Sequence, residues 1–224
     1  MPIHKTKNEK FFKKWSPQMA YVLGFFAADG SMYKTKRGTN FIEFQITDGD
    51  LLKEIKNALG SNHKITKVIR NKNQKPIYRI QIGSKEIFRD LLRFGLTPAK
   101  SKILRMPLVP AKYFADFLRG YFDGDGCVHL GKYWRKDRNK WIWQLVVTFT
   151  SGSLMFLKEL WSILRPHVRG GRIGNKNGGF ELVFSRRDAL ALFNLMYNNS
   201  AASIFLKRKY DIFKKAFKVL NMRP

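Results

Sequence analysis

The chain has a single cysteine, Cys127. That rules out a disulfide framework and a cysteine-rich zinc site, and it suits a reducing compartment. Acidic residues are scarce: 16 Asp and Glu stand against 43 Lys and Arg, for a formal charge of +27. Such an excess predicts a polyanionic partner, most often nucleic acid. Long apolar runs are missing too. The longest, Ala20–Ala28, falls far short of the roughly 20 residues needed to span a bilayer, so no membrane partner is expected. The N-terminal MPIHKTKNEK is basic with no apolar stretch behind it, so it is not expected to be a secretory signal. His4, His63, His129 and His167 lack metal-ligand spacing. The expected location is intracellular and reducing: a bacterial or archaeal cytoplasm, or an organelle matrix. Disorder, common in highly charged chains, is opposed by 44% hydrophobic and 14% aromatic content. The 224 residues suffice for one large domain or two small ones.

What is present is an element used twice. Val22–Gly30 reads VLGFFAADG and Leu118–Gly126 reads LRGYFDGDG. Each is a short apolar helix pattern closing in Asp-Gly. Ser16-Pro17 and Pro110-Ala111 supply helix-start signals. Small residues stand four apart, Gly24 with Ala28 and Gly120 with Gly124, so two such helices can approach closely. Gly30 and Gly126 are expected in the left-handed conformation that ends a helix. Asp29 and Asp125 then fall at helix carboxyl ends, where the dipole is already negative. A divalent cation is the simplest remedy for two such carboxylates. DGDG at Asp123 is not a calcium loop, because the sixth and twelfth positions are Val128 and Trp134.

The rest of the chain follows the same series twice, with a period of about a hundred residues. In the first half, strands are predicted over 31–34, 41–47, 65–69 and 77–82, and helices over 50–59 and 84–94. In the second, WIWQLVVTFT alternates through Leu145, Val147 and Phe149. Helices follow at 153–164 and 187–197, a hairpin lies on NKNGG, and a basic terminal helix runs from 200 to 217. The expected class is α+β: two αββαββα repeats, each with a four-stranded antiparallel sheet. Residues 1–14 are expected to form a basic, loosely ordered arm, 15–104 the first repeat, 105–110 a proline-bearing linker and 111–224 the second repeat. Strand parity nominates base contacts on the sheets: Glu43, Gln45, Arg70, Arg79 and Gln81, then Trp134, Arg135, Gln144, Thr148, Arg172 and Asn175. Turn lysines Lys34, Lys36, Lys72, Lys75, Lys132 and Lys176 are candidates for phosphate contact.

Gly24, Ala28, Asp29 and Gly30, with Leu118, Gly120, Asp123, Asp125 and Gly126, resemble the LAGLIDADG signature of homing endonucleases. The resemblance implies a monomeric, single-chain enzyme with no obligate protein partner. Such an enzyme cuts one phosphodiester on each strand across the minor groove of a long asymmetric double-stranded DNA site, leaving short 3′ overhangs. It implies Mg²⁺, with Mn²⁺ or Ca²⁺ able to occupy the same sites, held by Asp29, Asp125 and backbone near Ala28 and Gly124. It also implies catalytic polar residues after the second strand, Asp48 with Ser151 as its weaker counterpart. Finally it implies a catalytic lysine, Lys100, with Lys102 as a rival. Alignment sets Ala202 opposite Lys100, leaving Lys207 or Lys209 to serve the second half. The alternatives are an RNA maturase that assists group I intron splicing, with host intron RNA as partner, and a non-catalytic DNA-binding regulator of the same fold.

Overall fold

The computed structural model describes residues 5–69, 74–198 and 204–223. The first repeat runs α1 (Pro17–Asp29), β1 (Gly30–Lys34), β2 (Asn40–Ile46), α2 (Gly49–Ala58), β3 (Thr66–Val68), β4 (Ile77–Gly83) and α3 (Lys85–Arg93). The second runs α4 (Ala111–Asp125), β5 (Gly126–Arg135), β6 (Lys140–Ser151), α5 (Leu154–Leu164), β7 (Arg172–Lys176), β8 (Gly179–Ser185) and α6 (Arg186–Tyr197), with α7 (Lys207–Leu220) added. Both sheets are antiparallel and have the same strand order, β1-β2-β4-β3 and β5-β6-β8-β7. The α+β class with two like repeats is therefore as the periodicity predicts.

Contacts group the described residues into two compact units. One holds the chain up to Lys100 together with Pro107–Gly124 and Ile204; the other holds Ser101–Met106 and the rest of the chain from Asp125 onward. The second motif helix is thus packed within the first unit.

In the first unit α1 is buried from Met19 to Ala27. Ser16 caps it by accepting from the Met19 amide at 3.1 Å, and Pro17 takes the first helical position. Its partner is α4. A Cβ on Gly24 would lie 2.0 Å from the Phe117 carbonyl oxygen, and one on Gly120 2.0 Å from that of Tyr21. No side chain fits there, so the two glycines set the separation of the helices. A polar tie crosses this apolar seam: the buried Tyr21 hydroxyl donates to Asp123 Oδ2 at 2.7 Å. Buried Arg119 lies over the Tyr21 ring and donates to Asp116 and to the Ile204 carbonyl. Helices α2 and α3 cover the inner face of β2 and β4, where Ile42, Phe44, Ile80 and Ile82 are fully buried.

In the second unit α5, α6 and α7 cover β5, β6 and β8. Leu145, Val147, Phe149, Leu182 and Phe184 form that core. Asp48, Ser84 and Ser153 cap α2, α3 and α5 with side-chain oxygens.

Three local expectations are corrected. Gly30 is not left-handed: its φ of −77° and ψ of 147° carry the chain straight into β1. Glycine is needed there because a Cβ would meet the Phe26 ring at 2.2 Å. Gly126 likewise opens β5 without a positive φ. The basic arm is docked where it is described, because Phe11 and Phe12 are buried and Asn8 and Thr6 hydrogen-bond to the end of α2 and beyond it. The terminal helix begins at Lys207, not 200. Ile204 to Leu206 precede it in non-helical conformation, with Ile204 and Leu206 buried, while residues 199–203 lie outside the described set.

Candidate nucleic-acid interface and acidic helix ends

Each motif helix delivers its carboxylate to the point where helix becomes strand. Asp29 ends α1 and is exposed; Asp125 ends α4 and is half-buried. Asp29 lies against the second motif helix, since a Cβ on Gly124 would stand 2.4 Å from Ala28 Cβ and 3.5 Å from Asp29 Oδ2. Asp125 opens on a cleft of about 170 Å³ lined by Thr150, Ser151, Lys176 and Phe180, and Thr150 donates to its carbonyl. No cluster of three or more His, Cys, Asp or Glu residues of metal-binding arrangement occurs among the described residues.

Each repeat places a buried lysine at the same spot. Lys100 donates to the carbonyl of Gly30 and lies 5.5 Å from the centre of the Phe26 ring. Lys209 donates to the carbonyl of Gly126 at 2.6 Å. Both are almost wholly buried, at 6% and 4% exposure. Each cation sits one residue beyond the negative end of a motif helix, where the dipole favours it. Lys209, one of the two lysines named for the second half, thus stands as Lys100 does in the first, and Ala202 lies outside the described residues. Helical spacing carries the signal, because Lys209, Phe213 and Phe217 share one face of α7 and that face is buried.

Register also corrects the polar partners. Gly30 pairs with Phe44, and Gly126 with Phe149. Counting on from there, Gln45 matches Thr150, Ile46 matches Ser151, and Asp48 matches Ser153. Capping agrees: Asp48 accepts from the Leu51 amide at 3.1 Å, Ser153 from the Phe156 amide at 3.3 Å. Ser151 is two places early. Burial, followed by the charges of Asp48 and Asp50, raises the Glu54 carboxyl above its usual range.

On the first sheet Glu43, Gln45, Arg79 and Gln81 share the face opposite the core, as parity predicts. Gln45 donates to Glu43, Gln81 donates to the Tyr33 hydroxyl, and Arg79 lies 3.8 Å from Glu43. On the second sheet Arg135, Gln144, Thr148, Arg172 and Lys176 share the outer face. Trp134 and Asn175 do not. Trp134 continues the row of Val128 and Leu130, and Asn175 that of Ile173, both on the helix-covered side. Lys34, Lys36 and Lys75 are exposed at hairpin ends; Arg70 and Lys72 lie outside the described residues.

A family profile described as "LAGLIDADG-like domain" matches residues 16–95 and again 113–196. The chain belongs to the LAGLIDADG family. Its two family domains coincide with the two sheets and their motif helices. Among curated relatives, an uncharacterised protein of Methanocaldococcus jannaschii is 29% identical over 135 residues, which are 58% of this chain and 46% of that protein. A probable translation initiation factor IF-2 of Thermococcus kodakarensis is 28% identical over 227 residues, 97% of this chain and 17% of that one. The chain thus spans less than half the length of either relative. Among solved structures, the meganuclease I-SmaMI bound to uncleavable DNA superposes with a TM-score of 0.62 at 15% identity, over 92% of both chains. I-AabMI bound to uncleaved DNA gives 0.62 at 14%, again over 92% of both. I-SmaMI bound to its target in the presence of calcium ions gives 0.61 at 18%, over 93% of this chain and 92% of that one. These likenesses establish a shared two-repeat fold. No helix among the described residues is long and apolar enough to cross a membrane.

Proposed function

We propose that this LAGLIDADG chain is a site-specific double-strand DNA endonuclease that acts as a monomer on a long asymmetric site. One phosphodiester is hydrolysed on each strand across the minor groove, leaving short 3′ overhangs. The observation that carries the reading is the glycine-zipped pair α1 and α4, each closing in an aspartate whose following carbonyl holds a buried lysine. The DNA-bound state of the solved relatives supports duplex DNA as the substrate.

The donor set suits a hard divalent cation, because the groups at the helix ends are carboxylate and carbonyl oxygens, with Asp29 Oδ2 close to Gly124. Asp29 and Asp125, with backbone near Ala28 and Gly124, would hold Mg²⁺, and Mn²⁺ or Ca²⁺ suit the same oxygens. Such an ion supplies charge neutralisation at phosphate oxygen and acidifies a bound water. Asp48 orients the attacking water in the first half, and Ser153 has only a hydroxyl for that task in the second. Lys100 and Lys209 place fixed positive charge beside the two carboxylates, in position to offset charge developing on phosphate. The outer sheet faces supply base contacts through Gln45, Arg79, Gln81, Arg135, Gln144, Thr148 and Arg172, with Glu43 as a further acceptor. Lys34, Lys36, Lys75 and Lys176 supply phosphate contacts. The cut target follows from incubating the protein and Mg²⁺ with a DNA library that includes the host locus without this reading frame, then sequencing new ends. On that target Asp29→Asn and Asp125→Asn each abolish double-strand cleavage while gel-shift affinity stays within a few-fold. Undiminished cutting by either variant rejects the assignment of these carboxylates.

A further inference from the structure

The β5–β6 hairpin is longer than its counterpart: ten residue pairs, Gly126↔Phe149 to Arg135↔Lys140, against five in β1–β2. The pairing of β6 with β8 starts only at Val146, so among the described residues the hairpin tip has no strand neighbour beyond its own two strands. On the face continuous with the core row, the tip presents Lys132, Trp134, Trp141 and Trp143. Trp134 and Trp141 are direct cross-strand partners, with ring centroids 5.7 Å apart at 65°. They remain 44% and 62% exposed. Lys132 Nζ lies 5.1 Å from the Trp143 ring centre. Beyond these rings the turn carries Lys136 and Arg138, the latter 3.6 Å from the turn's one acid, Asp137, while Arg135 and Lys140 pair on the opposite face.

A cross-strand tryptophan pair stabilises a hairpin, but it does not require Trp141 to keep most of its surface in water. Nor does duplex reading account for these rings. They stand on the side opposite Gln144 and Arg135, and the bases of a duplex are already stacked on one another. Flat aromatic surface ringed by cations is the chemistry that holds unpaired bases and their phosphates. We propose that the tip of β5–β6 is a binding site for single-stranded DNA, with bases stacked on Trp141 and Trp134 and phosphates held by Lys132, Lys136 and Arg138. DNA is the occupant because the solved structures that share this fold are bound to DNA. The site is independent of the cleavage reading and of Asp29 and Asp125.

The test uses the full chain without divalent metal and a fluorescent oligo(dT) of about 12 nucleotides, at salt high enough to suppress purely electrostatic binding. Trp141→Ala is expected to weaken binding about tenfold, Trp141→Phe much less, and an abasic strand of equal length to bind the native chain about as poorly as oligo(dT) binds Trp141→Ala. Affinity for duplex DNA is expected to be unchanged in both variants. Equal binding of the abasic strand, or no effect of Trp141→Ala, overturns the stacking site. A parallel loss of duplex affinity makes the tip a duplex contact instead. Tighter binding of oligo(U) than oligo(dT) overturns the choice of DNA. Should Trp141→Ala unfold, the comparison of abasic and base-bearing strands on the native chain still decides.

Discussion

The two repeats share a plan and differ in their polar detail. Both end a buried motif helix in Asp-Gly, cap the second helix with a side-chain oxygen, and return a buried lysine to the carbonyl after the aspartate. They part at three equivalent places. Gln45 faces Thr150, Asp48 faces Ser153, and a five-pair hairpin faces a ten-pair one. What both halves keep is the backbone geometry around the acid and a cation beside it. What they do not keep is the group that caps the second helix and the make-up of the outer sheet face. Shared geometry with unlike surfaces fits the proposed reading, in which an asymmetric duplex is cut on both strands by unlike halves.

The comparison is broken most severely at the carboxylates, where Asp29→Asn against Asp125→Asn is read by cleavage as described above. Next comes the helix seam. Gly24→Val or Gly120→Val forces a side chain into backbone 2.0 Å away, so each is expected to cost about 3 kcal/mol or more in urea unfolding. Lys100→Met and Lys209→Met come third. Each is expected to slow cutting about a hundredfold, on different strands, so that a strand-resolved gel accumulates complementary nicks. Slowing of the same strand by both would deny that the lysines are equivalents. The capping pair is subtler. Asp48→Ala and Ser153→Ala each lose about 1 kcal/mol of stability, but only Asp48→Ala also slows its strand strongly, and Ser153→Asp narrows the difference in strand rates. The smallest effect belongs to His63. Burial, with Lys5 and Lys7 nearby, lowers its pKa below the ordinary 6.5, and Ser61 hydrogen-bonds its Nδ1 at 2.8 Å. A ring held neutral in the fold contributes stability fully above pH 6.5, and that contribution falls as pH drops through the depressed folded value. The melting temperature is expected to decline by a few degrees on that descent, and His63→Gln to flatten the slope.

Much of this was legible from residue order. Two apolar stretches ending in Asp-Gly, with strands alternating at period two, are local patterns, and local patterns survive reading without a structure. Glu43, Gln45, Arg79 and Gln81 were placed on one face by parity alone, and the register puts them there. The misses are non-local. Gly30 is required by a ring four residues back, not by its own φ. Ser151 falls short of Ser153 because the threonine of TFT looks like Thr47, whereas the register puts Gly152 at the place of Thr47. Trp134 and Asn175 sit near turns, where parity carried inward from the tip slips by one and turns every side chain over. Residue order leaves both Lys207 and Lys209 open in the second half, because either stands farther past the end of α6 than Lys100 does past the end of α3, and only burial of the α7 face distinguishes Lys209.

The glycine-zipped seam has a consequence for any shorter form of this protein. Helix α1 is apolar on every side, and its cover includes a helix encoded after the linker. A polypeptide that stopped before Ala111 would leave that surface in water and would have to aggregate or recruit a second copy of itself. Joined repeats of this design are therefore hard to separate again: once one half supplies the lid of the other, the half-length product no longer folds alone.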